Sequence, residues 1–338
     1  MRILIRTDIG SQHGLGHGVR MRALARALTA QRVRVTFTSS THDLRAFIAP
    51  FAVQEPWFPN MPYRPCDVYV IDTKAEDLGT HPDNRWQTRG IKIVRIDDPH
   101  AISDTCDLLI GPCAHWDTPT VERLRHDFGE RFLYGWDYVM LDEDVTQHAP
   151  IPYTERVDGP IVFCAGGSDP DDVLAQMYDW CAPLMPDHEK CFLLGSHYTG
   201  RLRGKLEGGL WAEDVTTRRI LQPYARETLR HAGLVVALFG VTVYECLFWQ
   251  VPCLVFARTE EDEAFLSKWE LACIRENLMD VPPFTTRRQW KRCSPEFFRD
   301  MITRHFHRIR CHSNMPANSC GRIDGQGIAR VADAILHV

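Results

Sequence analysis

The chain has 338 residues, 44% hydrophobic and 25% charged, with a formal net charge of −5. That length fits two domains of ordinary size, and the composition is that of a globular protein with material for two cores. The charge balance excludes a general attraction to nucleic acid or anionic membrane, and no apolar run approaches the roughly 20 residues that a membrane span requires.

The N-terminal stretch Met1–Asp8 holds only a three-residue apolar run before charge returns, too short for a signal peptide, so a cytoplasmic location is expected. Twelve cysteines are present without a Cys-x-x-Cys pair. Cys164, Cys246 and Cys253 lie in apolar runs, where a reduced thiol behaves as a small hydrophobe. The tail gathers Cys293, His305, His307, Cys311, His312 and Cys320, but at spacings that match no closed tetrahedral site. No metal or other cofactor is expected.

The elements read as strand then helix, repeated. Arg2–Arg6 is a short apolar strand, followed by a turn rich in Gly, Ser and Gln and a helix from about His17. Val33–Thr38 alternates and is β-branched; Val68–Asp72, Ile91–Ile96 and Leu108–Ile110 are short apolar runs ending in Asp or Gly. Leu141–Pro160, with three prolines and many charges, reads as a linker. The rhythm then restarts with Ile161–Ala165, Cys191–Leu194, Leu234–Phe239 and Leu254–Ala257, separated by helix-length stretches. Apolar strands of this kind indicate parallel sheets covered on both faces. The expected class is α/β, with a Rossmann-like domain over 1–145 and a second, nucleotide-binding one over 158–338. Ligands of such sheets bind at the carboxyl ends of the strands, at topological switch points, which directs attention to a cleft between the two domains. The basic segment Thr285–His312 reads as a solvated surface.

Three glycine turns follow strands. The first contains Gly14, Gly16, His17 and Arg20; Val19 stands where a dinucleotide fingerprint needs its third glycine, and no acid closes the second strand, which disfavours NAD. Gly14 and Gly16 let backbone approach a ligand, and His17 shares a helix face with Met21, Leu24 and Leu28, placing an imidazole at the helix start. In the second turn, Gly166-Gly-Ser-Asp-Pro170, Ser168 and Asp169 are N-cap types and Pro170 suits a first helical position. Its backbone, with Gly167, suits an anion. In the third, Gly240 and Thr242 open a helix whose N-terminus can receive a diphosphate, and Glu245 is placed to accept both hydroxyls of a ribose. Asp8, at the end of the first strand, and Asp98, in the turn-forming Asp97-Asp-Pro99, are further catalytic candidates, with Asp98 expected to face the site.

Taken together these segments resemble the PseG/SpsG family of UDP-sugar hydrolases and their spore-coat polysaccharide relatives. The resemblance lies in Arg6-Thr-Asp8 with Gly14-x-Gly16-His17-x-x-Arg20, then Ile96-Asp-Asp98, Tyr134-Gly-x-x-Tyr138-x-x-Leu141, Gly166-Gly-Ser-Asp-Pro170, Gly240-x-Thr-x-x-Glu245 and Asp324-Gly-x-Gly-Ile-Ala-Arg330, in that order. The likeness implies a GT-B-like fold, His17 as the catalytic residue, and Gly240, Thr242 and Glu245 as UDP contacts. Two segments depart from the family pattern. Asp72-Thr-Lys-Ala lacks the family's tyrosine, and Thr259-Glu-Glu-Asp-Glu263 replaces an Asn-Gln pair.

The resemblance implies hydrolysis of a nucleotide sugar, in which His17 takes a proton from water and helix N-termini near Ser168 and Gly240 stabilise the departing diphosphate. The rival is a GT-B glycosyltransferase with the same UDP-sugar donor, acting in surface polysaccharide or glycoconjugate biosynthesis. The partner expected in both cases is a nucleotide-sugar substrate.

Overall fold

The computed structural model describes residues 1–10, 15–39, 44–53, 66–73, 90–113, 116–206, 212–275, 284–311 and 323–338. Contacts divide the chain into unit 1, Met1–Glu143 with Ile323–Val338, and unit 2, Asp144–Arg322. The boundary falls inside the proline-bearing stretch Leu141–Pro160.

Unit 1 is built on seven strands: β1 (Arg2–Thr7), β2 (Arg34–Thr38), β3 (Ala52–Val53), β4 (Val68–Asp72), β5 (Lys92–Ile96), β6 (Leu108–Gly111) and β7 (Phe132–Tyr134). They pair in parallel in the order β3-β2-β1-β4-β5-β6-β7. Alternation sends successive side chains to opposite faces. Ile3, Ile5, Val70 and Val94 join one core with Met21, Leu24 and Leu28 of helix α1 (Gly16–Ala30). Leu4, Tyr69, Ile71 and Ile93 join another with Leu124 and Phe128 of α2 (Thr118–Phe128). With both faces covered, β4 and β6 are buried throughout, which is why they read as continuous apolar runs. Each fully buried aliphatic contributes about 1.5–3 kcal/mol to the cohesion of these layers.

The sequence-based boundary puts the C-terminus in the second domain, and the structure differs. The C-terminal helix Gly327–Leu336 buries Val331, Ala332 and Ile335 in the same core as α1. It starts so close to the backbone that a side chain on Gly327 would meet the Val139 carbonyl oxygen at 2.1 Å. Arg330 donates to the Asp137 carbonyl, 3.0 Å, and pairs with Asp324. An amphipathic helix shows locally that it needs a partner face, but not which sheet supplies it.

Unit 2 repeats the plan with β8 (Ile161–Cys164), β9 (Lys190–Leu194), β10 (Ala212–Asp214), β11 (Arg219–Pro223), β12 (Leu234–Leu238), β13 (Cys253–Ala257) and β14 (Phe284–Gln289). The order is β10-β11-β9-β8-β12-β13-β14, parallel except for the edge strand β10. The core centres on aromatic packing: Phe163 stacks on Phe192 at 4.5 Å between ring centroids, and Phe256, Trp290 and Phe298 form tilted and edge-on pairs. Four helices matter below: α3 (Val173–Trp180), α4 (Val241–Phe248), α5 (Glu260–Arg275) and α6 (Pro295–Cys311).

Each sheet has a switch point. In unit 1 the chain leaves β1 toward β2 and returns to β4 on its other side; in unit 2 it leaves β8 toward β9 and returns to β12. Among the described residues no helix is long and apolar enough to cross a membrane, and no group of three or more His, Cys, Asp or Glu is gathered as metal ligands. Two of the tail residues singled out above, His312 and Cys320, lie outside the described residues. Of the nine cysteines whose side chains are described, eight are buried.

Candidate active site

The switch point of unit 1 carries a cluster of linked charged and polar side chains. Thr7 of β1 and Asp72 of β4 are register partners at the carboxyl ends of their strands, and α1 begins nearby. Gly16 is the first residue of α1 and His17 the second; Gly14 lies outside the described residues. His17 Nδ1 lies 2.8 Å from Asp72 Oδ1. Arg20, one turn further along α1, grips the same carboxylate with Nε to Oδ2 at 2.7 Å and Nη2 to Oδ1 at 2.5 Å. Its Nη1 donates to Asp97 Oδ2, 2.9 Å.

The Asp72 side chain is 0% exposed and that of His17 22% exposed, so the imidazole stands between a buried carboxylate and the surface of its unit. Burial disfavours charge on Asp72, but the Arg20 guanidinium, then His17, and the hydrogen bonds from both override it and hold the carboxyl down at about 2. Asp72 is thus ionised and can only accept. We therefore assign the His17 proton to Nδ1, donating to Asp72, which leaves Nε2 with a free lone pair. Arg20 Nη2 also lies 3.0 Å from Nδ1. A protonated Nδ1 cannot accept from it, so that approach reflects two donors converging on one oxygen.

The other two catalytic candidates have different surroundings. Asp8 is buried, accepting from Ser39 Oγ at 2.9 Å and Thr73 Oγ1 at 2.7 Å, with Arg6 at 3.6 Å. It ties the ends of β1, β2 and β4 together. Asp98 was expected to face the site, but its neighbour does so. Asp97 adopts a left-handed backbone, φ 62°, which aspartate tolerates, and presents its carboxylate to Arg20. Asp98 is folded back onto the buried Arg95 at 2.7 Å and accepts from the His100 amide at 3.0 Å. A turn former was legible in Asp97-Asp-Pro99; which carboxylate it aims at α1 depends on one backbone angle.

In unit 2 the Gly166-Gly167 turn follows β8. Gly166 has φ +91°, a conformation that favours glycine, and the turn is pressed against Gly195, where an added Cβ would lie 2.3 Å from the Gly167 oxygen. Ser168 and Asp169 are buried. Helix α3 starts later than Pro170, after a left-handed Asp172 with φ 52°. Asp169 still serves it, accepting from the Val173 and Leu174 amides at 3.0 and 2.8 Å. Both its carboxylate oxygens are therefore engaged by the helix start.

Gly240 follows β12 in an extended conformation and opens α4 with no side chain capping it; the space where its Cβ would stand is open. Thr242 Oγ1 lies 3.3 Å from the Tyr224 hydroxyl and 3.9 Å from Cys164 Sγ. Glu245 points inward and is nearly inaccessible. Tyr224 donates to its Oε2 at 2.5 Å, and Arg226 Nε to Oε1 at 3.2 Å, so both carboxylate oxygens expected to face a ribose are already engaged. Burial, then the Glu245 charge, pushes the Tyr224 hydroxyl well above its ordinary range, so it stays a donor.

The acidic run Thr259-Glu-Glu-Asp-Glu263 proves to be the first turn of α5. Thr259 Oγ1 accepts from the Asp262 amide at 3.1 Å while Asp262 Oδ2 accepts from the Thr259 and Arg258 amides at 3.2 and 3.0 Å, a reciprocal cap. The acids there suit the helix dipole. Sequence reading did not single out Asp72, Tyr224 or Arg258 as candidates, and it placed Asp97 behind Asp98. The available signal for Asp72 and Arg258 was position, since each stands at the carboxyl end of an apolar strand.

No protein-family model matches the chain. An uncharacterized protein of Methanocaldococcus jannaschii is 23% identical over 277 residues, which cover 77% of this chain and 56% of that protein. The chain therefore spans about half the length of the curated relative it matches. Solved structures similar to the whole chain include the calicheamicin glycosyltransferase CalG4, with a TM-score of 0.60, 14% identity and coverage of 100% of this chain and 98% of that one. MurG of Acinetobacter baumannii is similar at a TM-score of 0.60 and 11% identity, covering 100% and 99%. The UDP-GlcNAc 2-epimerase of Neisseria meningitidis bound to UDP-GlcNAc is similar at 0.55 and 8%, covering 100% of both. The chain thus has the GT-B fold of two Rossmann-like domains.

Proposed function

We propose that the protein is an enzyme that transfers a glycosyl group from a nucleoside diphosphate sugar, in the first instance a UDP-sugar, to an acceptor hydroxyl, with His17 as general base. The observation that carries this reading is the His17–Asp72 pair at the switch point of unit 1, with Nδ1 held by an ionised, fully buried carboxylate. Asp72 fixes the tautomer and stabilises the imidazolium that forms when Nε2 takes a proton. Removing that proton lets the acceptor oxygen attack the anomeric carbon opposite the leaving group. The anomeric C–O bond breaks, and its electron pair stays on the departing diphosphate oxygen. In this reading unit 2 holds the nucleotide through the Gly166-Gly167 turn and the open N-terminus of α4 at Gly240, where backbone amides and the helix dipole favour an anion. Asp8, Asp169 and Glu245 then act as scaffold, because their oxygens are engaged by neighbouring donors. Glycosyltransferases among the similar structures support transfer, and the epimerase bound to UDP-GlcNAc supports the uridine choice. Structural likeness at this identity reaches the fold, so the chemistry rests on the site.

Hydrolysis is the second reading, favoured by the ordered motifs resembling the PseG/SpsG family. It differs only in that water replaces the acceptor. One experiment separates the two: nucleoside diphosphate release is followed over a panel of UDP-sugars, with and without a mixture of hydroxyl acceptors. Release that requires acceptor identifies a transferase; efficient release in water alone identifies a hydrolase. In either case His17→Ala is expected to lower the rate by at least about a hundredfold. Wild-type turnover by that variant would remove His17 from the chemistry.

A further inference from the structure

Several partly buried cations among the described residues of unit 2 have carboxylate partners, and others rest on backbone carbonyls. Arg219 meets Asp214, Arg226 meets Glu245 and Asp144, Arg230 meets Glu227, and Arg156 donates to the carbonyls of Trp249, Gln250 and Arg230. Arg258 is less satisfied than Arg156, which also lacks a carboxylate partner among the described residues and has a buried Nε without an acceptor but reaches three carbonyls. Arg258 follows the carboxyl end of β13 and is only partly exposed, yet it pairs with no carboxylate among the described residues. Its Nη2 donates to the Ala165 carbonyl at 3.1 Å, and its Nε is buried with no acceptor. A buried guanidinium nitrogen without an acceptor costs free energy that a bound ligand can recover.

Three acids on the surrounding segments have other partners, though Asp169 also feels the Arg258 charge. Asp169 accepts from the amides of α3, Asp262 caps α5, and Glu260 meets Arg292 at 3.4 Å. Because β12 lies between β8 and β13, a side chain running from Arg258 to Ala165 crosses the carboxyl end of β12, from which Gly240 opens α4. The same Nη2 lies 3.7 Å from where a side chain on Gly166 would begin. One guanidinium, held by a single carbonyl, thus stands among all three features of the unit 2 switch point: the Gly166 turn, the end of β12 and the end of β13.

We propose that Arg258 binds the phosphate oxygens of the nucleotide held by unit 2, so that recognition there depends on the diphosphate. The guanidinium fork matches a phosphate with two parallel donors, which an ammonium cannot do. The identity of the nucleotide rests on the reading given under Proposed function; the negative charge of the ligand rests on Arg258 itself.

The test is calorimetric titration of the full chain with UDP, uridine and inorganic pyrophosphate, using the wild type, Arg258→Met and Arg258→Lys. Methionine keeps an apolar stem, and the unfolding midpoint of each variant checks that the turn survives. Arg258→Met is expected to weaken UDP and pyrophosphate by about 10- to 100-fold while uridine changes by less than about twofold, with Arg258→Lys between the two. Equal UDP and pyrophosphate affinities in wild type and Arg258→Met would overturn the proposal. So would an equal loss for uridine, which would mark a collapsed turn. Arg258-dependent pyrophosphate binding without binding of UDP or any other nucleoside diphosphate would leave Arg258 as an anion site and remove the nucleotide reading. Binding of none of these ligands by the wild type would overturn both.

Discussion

Asp72→Asn removes one charge at nearly constant shape, and its effect can be worked out atom by atom. Asp72 Oδ1 receives His17 Nδ1 and Arg20 Nη2, while Oδ2 receives Arg20 Nε. An asparagine NH2 in the Oδ2 position faces the Arg20 Nε–H, donor against donor. In the Oδ1 position it forces His17 Nδ1 to accept, which moves the proton to Nε2 and removes the base. The equivalent exchange in the serine protease triad costs on the order of 10⁴ in kcat, so a loss of about 10³–10⁴ with little change in KM is expected here. The same carboxylate contributes to stability. A carboxyl held at about 2 rather than its ordinary 3.8 contributes about 2 kcal/mol near neutral pH, at about 1.4 kcal/mol per tenfold change. Because the folded value is depressed, that stability is present above about pH 4 and lost as the pH falls through 2. Urea unfolding of wild type and Asp72→Asn across pH 6 to 2 reads it directly. The gap between them should be largest at the upper end and shrink by about 2 kcal/mol by pH 2. A gap independent of pH would refute the ionised-carboxylate account, and wild-type kcat in the variant would refute the dyad.

Two glycines give further tests. Gly327→Ala puts a methyl group 2.1 Å from the Val139 carbonyl oxygen, so the C-terminal helix must shift; thermal unfolding should show a loss of about 1–3 kcal/mol. An unchanged midpoint would mean that this helix does not dock on unit 1 as described. Gly195→Ala drives a Cβ to within 2.3 Å of the Gly167 oxygen and 2.5 Å of that of Gly166. A displaced turn should weaken pyrophosphate binding several-fold, and unaltered binding would remove the Gly166-Gly167 turn from the anion site.

The local parts of this protein were legible in its sequence. The run Val68–Asp72 is a strand with those same bounds, and the stripe Met21, Leu24 and Leu28 does face the sheet, because burial on both faces makes strands apolar throughout and the helical period sorts side chains by face. His17 at a glycine-bracketed helix start was likewise visible. Tertiary structure decided the partners. Asp72 stands 55 residues from His17, and only the parallel pairing of β4 with β1 brings them to hydrogen-bond distance. It decided that Asp97 rather than Asp98 meets Arg20, that Glu245 turns inward to Tyr224 and Arg226, and that the last helix joins the first sheet. The physical reason is common to all four: periodicity reports which way a side chain faces, whereas the neighbour it meets there is set by strand order and by single backbone angles that no local pattern encodes.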